Sequence, residues 1–73
     1  MKQTKENKRR ASLLSNDLAS FAGRKGQILT RETADVVADF LADLRHYCDA
    51  HDLDFADLDR RAYGNYTAEK GGL

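Results

Sequence analysis

The sequence predicts a small all-α domain of three helices carrying a disordered basic N-terminal arm. Three observations predict it. Apolar residues recur three and four apart through two segments, 11–21 and 36–48, the repeat of a single helix face. Asp54 stands as a helix-capping residue ahead of a third such segment, since its carboxylate can accept from the free amides of a first turn. No sustained run alternates between apolar and polar residues, as a half-buried strand would require.

In chain order, residues 1–10 read as a flexible basic arm with almost no apolar content, too polar to bury anything. Two starts for the first helix are open. Thr4 would place Glu6 in the first turn, but Lys8, Arg9 and Arg10 would then crowd the positive end of the helix dipole. Ser12 is the other start. The helix face is Ala11, Leu14, Leu18 and Phe21, and Gly23 is the expected stop, leaving Arg24 and Lys25 near the negative helix end.

The second helix is expected to be capped by Thr30, with Glu32 and Asp35 in its first turns. Its stripe is Val36, Val37, Phe40, Leu41, Leu44, Tyr47 and Cys48, and its boundary falls at His51–Asp52. Asp54 caps the third helix, which puts Leu53 and Leu58 in the positions of a hydrophobic staple. Gly64 either ends that helix or weakens its middle by about 1 kcal/mol relative to alanine. Residues 11–66 therefore form the expected domain and residues 67–73 a frayed tail.

Seventy-three residues make one domain, and a chain below about 70–80 residues rarely obtains more than ~3–5 kcal/mol from a single core. The single cysteine, Cys48, excludes an internal disulfide. The large apolar side chains available to a core are Leu13, Leu14, Leu18, Phe21, Ile28, Leu29, Val36, Val37, Phe40, Leu41, Leu44, Leu53, Phe55 and Leu58. Self-association or docking on a larger partner would help so small a set. The polar N-terminus and the lack of a long apolar run point to a cytoplasmic chain with no membrane segment.

The formal charge is zero, but it is divided. Residues 1–31 hold eight cations against two acids, net +6, and residues 32–73 hold four against ten, net −6. Such polarisation bears on association rather than on fold.

No catalytic constellation stands out. Ser12, Ser15 and Ser20 lack a glycine elbow, and the loop Gly23-Arg24-Lys25-Gly26 lacks a phosphate-cradling glycine pattern. His46, Cys48 and His51 are the candidate metal ligands, with Asp52 beside them. A structural zinc site takes four convergent ligands, usually as two separated pairs, and only one cluster exists here. The sequence therefore implies neither enzyme activity, nor a metal, nor a cofactor.

Two surfaces remain. Asp35, Asp39 and Asp43 recur every four residues as an acidic row, mildly self-repelling and suited either to solvent, to a basic partner or to the chain's own arm. With Tyr63 and Tyr66 it forms the candidate protein-binding set. Lys5, Lys8, Arg9, Arg10, Arg24 and Lys25 form the alternative, a nucleic-acid contact through phosphates. A helix-turn-helix reading of the second and third helices fails on charge, because Asp54, Asp57 and Asp59 would be repelled by the backbone of DNA.

The segment 41–63, through Leu-Arg-His-Tyr-Cys-Asp at 44–49 and the hinge Leu53-Asp54-Phe55, resembles short uncharacterised proteins of bacterial plasmids and integrated mobile elements. The resemblance covers residues 36–69. It implies a bacterial accessory protein and carries no catalytic residues to transfer. Glycine is expected in such sequences where this chain has Asp52, so the hinge departs from them. The expected function is a non-enzymatic interaction module that binds a protein partner through its acidic helical face, with homo-oligomerisation and arm-mediated nucleic-acid binding as alternatives.

Overall fold

A computed structural model describes residues 4–71. Among them the chain forms three helices and no strand: α1 (Lys5–Arg24), α2 (Thr33–Ala50) and α3 (Phe55–Lys70).

The earlier of the two starts is the one used. Thr4 Oγ1 accepts from the Asn7 amide at 3.1 Å, and Glu6 sits in the first turn. Residues 5–10 of the expected flexible arm are therefore helical, while residues 1–3 lie outside the described residues. The crowding of cations is relieved by acids: Glu6 lies 3.8 Å from Arg9, and Glu69 lies 3.4 Å from Arg10.

Gly23 does not stop α1; Gly26 does. The helix runs through Arg24, and Gly26 takes φ +73 just beyond the Lys25 cap. Its amide donates to Gly23 at 3.2 Å, and the Gln27 amide donates to the Ala22 carbonyl at 2.8 Å. This pair of bonds is a Schellman motif, which closes a helix once the residue after the cap turns left-handed. A stop three residues later brings Phe21 and Ala22 inside the last turns, and both are buried.

The end of α2 repeats the motif. His51 is the cap, Asp52 takes φ 56, and the Leu53 amide donates to the Cys48 carbonyl at 2.8 Å. The α2 start differs from expectation: Thr30 is not its cap. Glu32 holds that position without a side-chain bond to the helix, and its carboxylate turns back to accept from the Ile28 amide at 3.0 Å.

Asp54 caps α3 as its sequence position predicts, accepting from the Asp57 amide at 3.2 Å. Gly64 neither ends α3 nor breaks it, and Thr67 donates to the Gly64 carbonyl at 2.9 Å. Residues 67–70 of the expected frayed tail are helical, and Arg60 and Arg61 fall mid-helix. Gly72 and Leu73 lie outside the described residues.

The helices touch near their ends. Phe21, Ala22 and Val36 form the core between α1 and α2, flanked by Leu18, Leu29 and Phe40, and the Phe21 and Phe40 rings meet edge to face at 5.3 Å. At the α2–α3 turn Cys48 is buried and the Arg45 guanidinium lies 4.2 Å from the Phe55 ring centre. Where α1 begins and α3 ends, Asn7 Nδ2 donates to the Glu69 carbonyl at 3.1 Å. Three helices joined at three corners give a flat frame of 36 × 32 × 16 Å.

Candidate functional site

Helix α2 shows why the frame leaves apolar surface uncovered. Val36, Phe40 and Tyr47 share one stripe, while Val37, Leu41, Leu44 and Cys48 share a second, about 100° round the helix. Val36 and Phe40 pack against the end of α1. The second stripe is covered only at its C-terminal end, where Cys48 is buried: Val37 is 37%, Leu41 47% and Leu44 38% exposed, and on the first stripe Tyr47 is 56% exposed. Spaced four and three apart, Val37, Leu41 and Leu44 are surface neighbours and form a continuous band.

The other helices repeat the pattern. On α1, Leu14 precedes half-buried Leu18 by one turn and remains about half exposed, and Leu13 is more exposed still. On α3, Tyr63 and Tyr66 are exposed with ring centres 6.2 Å apart, and the Lys70 ammonium lies 5.3 Å from the Tyr66 ring. Of the fourteen large side chains expected to build a core, seven are exposed: Leu13, Leu14, Ile28, Val37, Leu41, Leu44 and Leu53. Helical spacing identifies which residues share a face; it does not say whether a neighbour reaches that face.

The acidic row meets the chain's own turn. Lys25 Nζ lies 2.9 Å from Asp43 Oδ2, and Gln27 Nε2 donates to Asp39 Oδ2 at 3.2 Å. Asp35 forms no ion pair or side-chain hydrogen bond among the described residues. The row is thus partly occupied from within, and neither Tyr63 nor Tyr66 is joined to it by a hydrogen bond among the described residues. The structure leaves the apolar band, which the sequence assigned to a core, exposed as well.

The basic set is split in the same way. Arg10 is held by Glu69 and by Asn7, whose Oδ1 accepts from Arg10 Nη1 at 2.6 Å. Lys25 is held by Asp43, and Arg9 approaches Glu6. Arg24 lies 5.9 Å from the Phe21 ring centre. Lys5 and Lys8 stand on α1 without an acidic partner among the described residues. An acid beside three of the six cations reduces the positive field that phosphate contact requires.

His46, Cys48 and His51 do not converge. Cys48 is buried, His51 stacks on Tyr47 at 4.3 Å between ring centres, and among the described residues no group of three His, Cys, Asp or Glu is placed to hold a metal ion. Ser12, Ser15 and Ser20 are exposed along α1. Among the described residues no helix is long and apolar enough to cross a membrane. Comparison with protein-family models, curated proteins and solved structures found no match to this chain.

Proposed function

We propose that this chain is a helical interaction module, without chemistry of its own, that completes its core against a protein surface. One observation carries the reading: Val37, Leu41 and Leu44 form an apolar band more than a third exposed, in a chain whose buried core is Phe21, Ala22, Val36 and Cys48. Adjoining apolar side chains left exposed on one helix face are surface that a partner can bury. Tyr63 and Tyr66 add aromatic rings of the type that anchors interfaces, and Asp35, on the open end of the acidic row, supplies charge that selects and orients a partner. The resemblance of residues 36–69 to proteins of mobile elements supports a place as an accessory protein in a bacterial cytoplasm.

The test compares two variants of the full chain as bait for a partner. Leu41→Asp with Leu44→Asp is expected to lower recovery at least about tenfold, as loss of two anchors would. Asp35, Asp39 and Asp43→Asn together are expected to lower it only a few-fold, because two of the three are engaged internally. Equal recovery with both variants overturns the reading. Salt-sensitive binding of short duplex DNA that disappears on removing residues 1–10 would replace it with the phosphate-contact alternative.

A further inference from the structure

We propose that the apolar band is the interface between two copies of this chain. The inference rests on the interaction-module reading and names the partner.

Size is the first argument. A compact chain of this length has a radius of gyration of about 11 Å and a compact body of two such chains about 15 Å, whereas this chain alone measures 13.9 Å. It already spans most of the reach of a pair. Surface is the second. A compact monomer of 8.2 kDa exposes about 4,500 Å², and this one exposes 6018 Å². The excess, about 1,500 Å² per chain, lies within the range that stable permanent dimers bury on each side. The chain is flat, 16 Å thick, so a facing molecule can cover more than one helix at once.

Charge selects a copy of the chain over an unrelated partner. A net charge of zero gives no long-range pull toward a partner of either sign, but the +6 and −6 segments are complementary to each other. A two-fold axis makes every contact twice, so setting α1 of one copy, net +3, against α2 and α3 of the other, net −3, brings opposite charge together at both places. Lys5, Lys8 and Arg24 against Asp17 on α1, and Asp35, Asp49 and Asp59 against Arg45, Arg61 and Lys70 on α2 and α3, form no ion pair among the described residues, so the positive end of α1, at Lys5 and Lys8, is the part available to Asp35, Asp49 and Asp59.

Sedimentation equilibrium of the full chain tests this, beside thermal unfolding at the same concentrations. The expected mass is twice 8.2 kDa, with a midpoint that rises about 5 °C for each tenfold increase in concentration, because folding and association are linked. Reversing charge on α1, by Lys5→Glu with Lys8→Glu, changes exposed residues only. It is expected to weaken the dimer about tenfold at low salt, and the deficit is expected to shrink as salt screens it. A single-chain mass with a concentration-independent midpoint overturns the proposal, and a mass above two chains overturns the two-copy geometry. Binding of a hydrophobic dye then separates the two readings. A monomer that binds the dye rejects the second copy but keeps the interaction module, whereas a cooperative monomer that does not bind it removes both.

Discussion

The two interhelical turns end their helices with the same hydrogen-bond pattern but put different residues at its left-handed position. Gly26 carries φ +73 after α1, and Asp52 carries φ 56 after α2. Glycine meets no Cβ clash there, and no atom beyond its own chain neighbours stands within 4 Å of where a Cβ would be. An L-residue in that conformation costs roughly 1–2 kcal/mol, less for aspartate than for a branched residue. The turns also differ in how the next helix starts. After Gly26 the chain runs on to Glu32 before α2 begins without a side-chain cap. After Asp52 it reaches Asp54, which caps α3 at once. One turn is relaxed and leads to a weak helix start; the other is strained and leads to a strong one. The first corner holds the aromatic core, so a loose connection suffices there, and the second leans more on its cap and on the Arg45–Phe55 stack.

The largest expected effect breaks the first corner. Phe21→Ala removes the ring that meets Phe40, at a cost of about 3 kcal/mol or more. For a chain this small that is comparable to its whole stability, and the far-ultraviolet dichroism of the isolated chain is expected to collapse. Next come substitutions at the matched positions, with opposite signs. Gly26→Ala is expected to destabilise by about 1–2 kcal/mol, while Asp52→Gly is expected to stabilise by about 0.5–1 kcal/mol, as urea midpoints would report. Equal and same-signed effects would show that the residue at the left-handed position does not set the difference between the two turns. The smallest effect is at Asp43. Asp43→Asn removes a half-exposed ion pair with Lys25 and is expected to change stability by less than about 1 kcal/mol, a difference that fades as salt is added.

The helices themselves are legible from sequence, because spacing and caps are local. Asp54 is recognisable since a carboxylate before Phe55 has a first-turn amide within reach, whatever surrounds it. Gly23 misleads because both it and Gly26 suit a helix end, and burial of Phe21 and Ala22 against α2 decides between them. Gly64 is tolerated for a similar non-local reason: α3 must continue to Glu69 to meet Asn7 and Arg10. The acidic row is visible as a pattern, but not that Lys25 and Gln27 would fold back over it. Least legible is the exposure of Val37, Leu41 and Leu44. An amphipathic stripe looks the same whether its cover comes from this chain or from another.

Cys48 gives the α2–α3 corner a chemical clock. The residue is 2% exposed, it is the chain's single cysteine, and its carbonyl accepts the Leu53 amide that seals the strained turn. A thiol reagent can reach it only when that corner opens. The labelling rate relative to the unfolded chain then reports the free energy of local opening. Asp52→Gly should slow the reaction and Asp54→Ala should quicken it, so the balance between strain and capping can be followed in time at a single sulfur atom.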